Sequence, residues 1–379
     1  MIEPKLAKQL EDAIEGDVYT DTFTRGRYAT DASIYQVEPL GVVVPKTIQD
    51  VEATLSITHE NEVPILARGA GTSQCGQAVN KALVVDTSKY LDRVISFDPE
   101  DRRLTVQPGL VLDQLNKFLQ PHDLWFPVDI STSSQATIGG MAGNNSCGAR
   151  SIRYGTMRDN VLSISAILAN GRRSAFGRIE NPSRPSKATS EKDILTEKLL
   201  QIGSREAVEI ESRFPKLMRR VGGYNLDALT MGQSGSVNLA HLLVGSEGTL
   251  GFFENIELSL SPLPSERVLG VCRFTSFHEA MIATKSIVSL EPTAVELVDR
   301  NLIDLARDTD LFGKVIAEIV HDDLGVVLLV EFSESDEREN LHRLDRLGEL
   351  MGDLGYDKGL VKIIAPDMQQ AIWEMRKQG

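Results

Sequence analysis

Cysteine is scarce in this chain of 379 residues: only Cys75, Cys147 and Cys272 occur. They form no Cys-x-x-Cys pair and no histidine is spaced to complete a zinc or cluster site, so a reducing compartment fits best. The six histidines, His59, His122, His241, His278, His321 and His342, are equally scattered, and each reads as a surface or lightly buried residue rather than a metal ligand. Basic charge is also short. Lys plus Arg number 40 against 54 Asp plus Glu, a net charge of −14, which disfavours nucleic acid and anionic lipid as partners and otherwise means plain solubility. Long apolar runs are missing too. Val326 to Val330 is far short of the ~20 residues of a membrane span, and Met1 to Gly16 has no apolar stretch of the secretory kind. A cytoplasmic location is therefore expected.

What is present is enough to build cores. Hydrophobic residues make up 41% and charged residues 25%, ordinary for a globular protein, and the length exceeds the usual domain of ~100–200 residues, so two or three domains are expected. Leu6, Leu10, Ala13 and Ile14 repeat at helical spacing. After a polar passage from Thr24 to Tyr35, the chain predicts a strand at Gly41 to Val44 closed by Pro45, a helix from Ile48 to Thr58 and a strand at Val63 to Ala67. That strand, helix, strand order is a small parallel unit, whose strands end where ligand loops usually sit.

Further strands are expected at Leu83 to Asp86, Val94 to Phe97 and Leu104 to Gln107, then a helix from Val111 to Leu119. A hairpin follows at Val161 to Phe176, turned by Asn170-Gly171. Arg178 to Lys192, with Pro182 and Pro185, reads as an exposed excursion, and Ile194 to Phe214 as one helix. Pro262 and Pro264 mark a boundary. Beyond them, strands at Val268 to Phe274 and Val326 to Phe332, helices at Phe277 to Val288 and Glu337 to Leu354, and a strand running into a helix from Ala294 to Asp310 suggest an antiparallel sheet with helices on one face.

Two stretches are not core elements. Pro127 to Asn160 has Gly139, Gly140, Gly143, Gly148 and Gly155 spaced among Ser, Thr and Asn with no helical or strand period. Glycine permits close backbone approach, and hydroxyls and free N–H groups offer short hydrogen bonds, so the loop suits a phosphate; the alternative is a long turn-rich surface connection. The second stretch, Arg68-Gly69-Ala70-Gly71-Thr72-Ser73-Gln74-Cys75-Gly76-Gln77, opens directly from the apolar run Ile65 to Ala67. Two such loops could hold one diphosphate. Neither has Walker spacing or the dinucleotide pattern between parallel strands. Cys75 and Cys147 fall inside these loops, where a small, weakly polar residue packs well.

RGAGTSQCGQ after an apolar strand, then STSSQATIGGMAGNNSCGARSIRYGTMRDNV, and later LLVGSEGTLGFF from Leu242 to Phe253, together resemble the FAD-binding domain of the vanillyl-alcohol oxidase and p-cresol methylhydroxylase (PCMH) type. Within it the chain is most similar to the flavin-dependent D-lactate and D-2-hydroxyacid dehydrogenases. The resemblance runs from about Tyr28 to the last residue. It implies an α+β fold: a lead-in at 1–37, a two-subdomain PCMH-type FAD-binding domain at 38–264 with an insertion at about 178–192, and an incomplete ferredoxin-like α+β cap at 265–379.

The resemblance also implies a site. FAD would be held by Pro45; by Arg68, Gly69, Ala70, Gly71, Thr72, Ser73, Gly76 and Gln77 of the first loop; by Asp129, Ser131, Ala136, Thr137, Gly139, Gly140, Asn144, Ser146, Gly148, Ala149, Tyr154 and Gly155 of the second; and by Glu247, Gly248 and Gly251. Some members attach FAD through a histidine in the first loop. Thr72 stands there in this chain and neither loop contains His, so non-covalent FAD is expected. Tyr224 and Asn225 are candidates for the substrate side, and the neighbouring Arg219 and Arg220 read more simply as solvated. Arg376 would grip the substrate carboxylate, a role that suits a guanidinium fork.

In such dehydrogenases the metal-binding and proton-abstracting histidines follow this arginine. The implied reading is a fragment with its base outside this chain, with no metal site of its own, and with a divalent metal or iron–sulfur cluster only if the protein continues beyond Gly379. The substrate would be a small 2-hydroxy acid and the electron acceptor a quinone, a cytochrome or an electron-transfer protein, through which the chain could be peripheral to a membrane; a homodimer is compatible. Two alternatives stand beside this: a related FAD enzyme for another substrate, such as a sugar-alcohol oxidase or an NADPH-dependent reductase, and a non-catalytic FAD-binding module.

Overall fold

A computed structural model of the chain describes residues 1–180, 191–231, 235–307 and 325–378. The chain divides into two compact units, one made of Met1–Cys147 with Thr156–Pro262, the other of Gly148–Gly155 with Leu263–Gly379.

The first unit carries two principal sheets. In one, the Gly41–Val44 strand leads through the Ile48–Glu60 helix to the Ile65–Arg68 strand, and Leu83–Asp86 pairs in parallel with both. Thr47 and Asp50 start that helix with a capping box, which satisfies two otherwise orphaned backbone donors. Gly41–Val44 and Leu83–Asp86 are buried at every residue, as expected of parallel strands covered on both faces. Leu6, Ala7 and Leu10 of the Pro4–Ala13 helix cover one face by packing on Val43 and Leu83. Asp17–Tyr19 adds an antiparallel edge strand.

The second sheet is antiparallel, in the order Val94–Asp98, Arg103–Val106, Phe252–Ser259, Val161–Ile167, Arg173–Phe176. Its inner face joins the largest core, with Leu104, Val106, Leu115, Phe126, Ile138, Met141, Ile164 and Ile256 all buried. Val51, Val85, Leu91, Ile167 and Phe252 form a small core between the two sheets.

Several expectations need correction. The passage from Thr24 to Tyr35 includes part of a helix, Thr22–Arg27, capped by Asp21. The glycine-rich loop from Pro127 contains a short helix, Ile138–Asn144, because Thr137 caps it and Ile138, Met141 and Ala142 are buried in the core; tertiary burial overrides the poor helix propensity of its glycines. The single helix expected over Ile194 to Phe214 is two, Glu191–Arg205 and Ala207–Arg213, separated at Glu206 where the backbone leaves the helical region. The excursion begins as a strand, Arg178–Glu180, paired with Ser236–Asn238. Its remainder with Pro182 and Pro185 lies outside the described residues, as do residues 308–310 and His321.

The second unit is built on one antiparallel sheet in the order Ala294–Asp299, Val326–Phe332, Val268–Phe274, Leu360–Ile363. With helices Phe277–Ile287 and Glu337–Asp353 this is the βαββαβ path of ferredoxin-like units, and all six elements lie among the described residues. Helices cover both faces, not one. Val326, Leu328, Val330 and Phe332 pack toward those two helices, while Val327 and Leu329 pack with Ile303, Ala306, Ile372 and Met375 of Arg300–Arg307 and Pro366–Gln378. The Gly148–Gly155 segment joins through charge. Arg150 donates from Nε and Nη2 to the two carboxylate oxygens of Glu331, each at 2.7 Å, and lies over the Trp373 ring. Arg153 pairs with Glu334 beside it.

Candidate functional site

In the first unit, the first glycine loop leaves the carboxyl end of the parallel Ile65–Arg68 strand and borders a cavity of about 460 Å³. Its lining comes from distant parts of the sequence: Ala67 to Cys75, Gln77 and Ala78; Thr87 and Pro108; Ile130 to Thr132; Ala136, Thr137, Gly139 to Met141 and Gly143 to Cys147; Val221; and Glu247, Gly248 and Gly251 to Phe253. The volume falls within the usual range for small-molecule sites, roughly 300–1,000 Å³.

Much of the wall is bare backbone. A Cβ on Gly140 would meet only the Thr137 hydroxyl, at 3.2 Å; one on Gly143 would meet only Glu247 Cα, at 3.9 Å. Three glycine-rich segments converge on Glu247. Its Oε1 accepts the side-chain amides of Asn144 at 3.1 Å and Gln77 at 3.4 Å, and Glu247 itself is held at φ +50° with Gly248 at +75°. Burial away from water pushes this carboxyl above its usual range, against the pull of the two amides.

Most residues expected to hold the cofactor line this cavity: Arg68, Gly69, Ala70, Gly71, Thr72, Ser73, Gln77, Ser131, Ala136, Thr137, Gly139, Gly140, Asn144, Ser146, Glu247, Gly248 and Gly251. Pro45, Gly76 and Asp129 are not in the lining, and Gly148, Ala149, Tyr154 and Gly155 belong to the second unit. The lining also includes residues not among those expected to hold the cofactor, such as Pro108, Ile130, Val221, Phe252 and Phe253. Apolar residues beside strands and in loops look like core or connection in a sequence, and no local pattern sets them apart.

The three substrate-side candidates lie outside this lining. Asn225 is buried and its amide is used within the protein: Nδ2 donates to Val244 O at 2.8 Å and His241 O at 3.2 Å, and Oδ1 faces Arg158 and Arg220. Those arginines in turn share the carboxylate of Asp227, at 2.8 and 2.5 Å, so Arg220 is not simply solvated. Tyr224 is exposed, with its hydroxyl 2.7 Å from that of Thr249. Arg376, in the second unit, is half-exposed and turned to Glu296, with Nε at 3.1 Å and Nη2 at 3.0 Å from Oε2.

Among known proteins, a family model described as FAD binding domain matches residues 39–176, and another, FAD linked oxidases, C-terminal domain, matches residues 263–379. The chain is 33% identical over 347 residues to a D-2-hydroxyglutarate dehydrogenase of Pseudomonas putida, which covers 89% of this chain and 34% of that protein. This chain belongs to the PCMH-type FAD-binding family. Within that family it is also 31% identical over 344 residues to the D-2-hydroxyglutarate dehydrogenase of Haemophilus influenzae, across 88% of this chain and 33% of that one. A probable mitochondrial D-lactate dehydrogenase of Danio rerio is 30% identical over 280 residues, across 73% and 46%. The chain spans about one third of the length of the D-2-hydroxyglutarate dehydrogenases it matches. A solved alkyldihydroxyacetonephosphate synthase superposes with a TM-score of 0.71, covering 100% of this chain and 63% of that one; at 18% identity it speaks for the fold alone.

The cofactor of this family member is non-covalent FAD, and the cavity suits it. The bare backbone at Gly140, Gly143 and Gly248 lets an organic diphosphate approach the main chain, hydroxyls of Thr72, Ser73, Ser131 and Thr137 stand around it, and among the described residues no histidine lines it.

Proposed function

We propose that this chain is the flavin-binding part of a dehydrogenase that oxidises a D-2-hydroxy acid, D-lactate or a larger relative, to the 2-oxo acid. The reading is carried by the glycine-walled cavity, built from three separated segments in a chain 33% identical over 89% of its length to a D-2-hydroxyglutarate dehydrogenase. FAD, when bound, supplies a hydride acceptor at N5. The residues of the chain supply position: the glycine segments hold the cofactor close to backbone, and Phe252 and Phe253 give the cavity an apolar side that excludes water. Arg376 anchors the substrate carboxylate. Its present partner Glu296 is the same chemical group that a 2-hydroxy acid would offer, so the guanidinium is already oriented to receive a carboxylate.

The test is spectroscopic. Acid precipitation of the FAD-loaded chain should leave all the flavin in the supernatant; colour retained by the pellet would mean a covalent bond. Under anaerobic conditions, D-2-hydroxyglutarate or D-lactate should perturb and bleach the flavin bands more than the L enantiomers do. A flavin that ignores every 2-hydroxy acid but responds to NADPH or a sugar alcohol overturns the reading.

A further inference from the structure

The first glycine loop is held from outside itself. Among the described residues, Arg68 is the only lysine or arginine in the cavity lining, and it is 8% exposed. Its guanidinium is spent on backbone carbonyls. Nη1 donates to Tyr28 O at 3.0 Å and Ala78 O at 2.8 Å, and Nη2 donates to Thr30 O at 2.7 Å. Three of its five N–H donors are thereby used inside the protein. The same guanidinium lies over the Tyr28 ring, 5.3 Å from its centroid, and the Tyr28 hydroxyl donates to Asp86 at 2.6 Å. Ala78 follows the loop, whereas Tyr28 and Thr30 stand ahead of the matched FAD-binding region, which begins at residue 39.

The passage holding Tyr28 and Thr30 is closed on itself. Thr30 bridges Gln36, and Val37 N–H donates to Ala29 O at 2.8 Å. This turn returns Tyr35 onto the loop. A Cβ on Gly76, at φ +82°, would lie 2.6 Å from a Tyr35 ring carbon, and one on Gly71, at φ +71°, would lie 2.4 Å from Arg68 Nη2. Both left-handed glycines of the loop are thus places where outside side chains press on it, as the Thr137 hydroxyl does at Gly69.

We infer that residues 28–36 and Arg68 form a clamp that holds residues 69–77 in their cavity-lining shape, and that Arg68 is a positioning residue rather than the counter-ion of the cofactor diphosphate. The inference rests on FAD being the occupant of this cavity. A clamped loop has met its ordering cost before the cofactor arrives, which raises affinity without a new contact. Arginine is suited to this, because one planar fork reaches several carbonyls and a lysine ammonium does not.

Amide hydrogen exchange of residues 69–77 in the FAD-free chain, and the dissociation constant for FAD from flavin fluorescence at several salt concentrations, decide the matter. The variants are Arg68→Lys, Arg68→Met and Tyr35→Ala. The clamp predicts at least tenfold faster loop exchange in all three, and at least tenfold weaker FAD binding in both Arg68 variants, with lysine no better than methionine. The salt slope should match between the unmodified chain and Arg68→Met. Recovery of most affinity by lysine, loss of the salt slope in Arg68→Met, or unchanged loop exchange would each overturn it in favour of a counter-ion role. Should the Arg68 variants fail to fold, Tyr35→Ala decides: faster exchange with weaker binding supports the clamp, and no change in either overturns it. An unmodified chain that takes up no FAD overturns the reading of the cavity instead, while exchange in the FAD-free chain still decides the clamp.

Discussion

The carboxylate of Glu247 accepts the side-chain amide of Asn144 at 3.1 Å, joining residues 103 positions apart at the cavity wall. Burial against the walls raises this acid above its usual value of 4.5. A raised acid takes up its proton more readily in the folded cavity than in the unfolded chain, so its ionisation weakens the folded state as pH rises through that raised value. Ionised Glu247 also shares the cavity with an anionic diphosphate. FAD affinity should therefore decline as pH rises from its usual value toward neutrality, and Glu247→Gln should flatten that profile while keeping an acceptor for Asn144. Parallel profiles in the two proteins, followed by flavin fluorescence, would exclude Glu247 as the titrating group.

Gly140 offers a cleaner steric test. The protein leaves room for a Cβ there, with only the Thr137 hydroxyl nearby, and the open side is the cavity. Gly140→Val should weaken FAD binding by about 100-fold or more, with far-UV circular dichroism and the melting temperature of the FAD-free protein close to unchanged. A valine variant that purifies fully loaded would show that the cofactor does not approach this backbone.

Arg150 and Glu331 form a two-bond ion pair with side chains 12% and 1% exposed. Removing one partner leaves a charge out of water, which costs about 3–5 kcal/mol, whereas replacing both with apolar residues of similar size costs much less. Urea unfolding should show Glu331→Ala losing about that amount, and Arg150→Met with Glu331→Leu losing less than Glu331→Ala alone. Simple additivity of the single changes would mean the pair is not coupled.

If Arg376 anchors substrate, Glu296 competes with it. Arg376→Ala should raise KM for a D-2-hydroxy acid, with hydrogen bonds to charged groups worth about 1.5–3 kcal/mol each, and lysine should recover only part. Glu296→Gln should act in the opposite direction and lower KM, because the guanidinium is then free of its internal carboxylate. Steady-state kinetics in which both variants leave KM unchanged would remove Arg376 from the site.

Burial also pushes the pKa of His241 down. The unfolded chain then binds its proton first, so the neutral folded form loses stability as pH falls below the ordinary imidazole value of about 6.5. Replacing His241 with Gln should reduce the loss of stability as pH falls below roughly 6.5, measured by urea midpoint. An equal loss in both proteins would assign the acid sensitivity elsewhere.

Strands with a continuous apolar run, such as Gly41–Val44 and the Val326–Val330 part of Val326–Phe332, are legible because burial on both faces favours apolar residues throughout. The Ile138–Asn144 helix is hidden by its glycines, since the Thr137 cap and the burial of Ile138, Met141 and Ala142 outweigh their poor helix propensity. Asp17–Tyr19 is too short to show a period, and Leu360–Ile363 pairs with Val268–Phe274 across some 90 residues, where no local signal exists. In the site, glycine spacing pointed to the cavity wall. It could not indicate that Arg68, beside the loop, turns its guanidinium to Tyr28, Thr30 and Ala78.

The second unit is not one contiguous stretch of gene, because Gly148–Gly155 belongs to it. A splice after Pro262 would therefore transplant most of the unit but leave Arg150 and Arg153 behind with the recipient. Any donor sequence joined at that point must supply acids where Glu331 and Glu334 stand, or inherit two stranded cations. Shuffling among relatives is thus filtered by two carboxylates far downstream of the crossover, and libraries of chimeras should be sorted by those two positions before overall similarity.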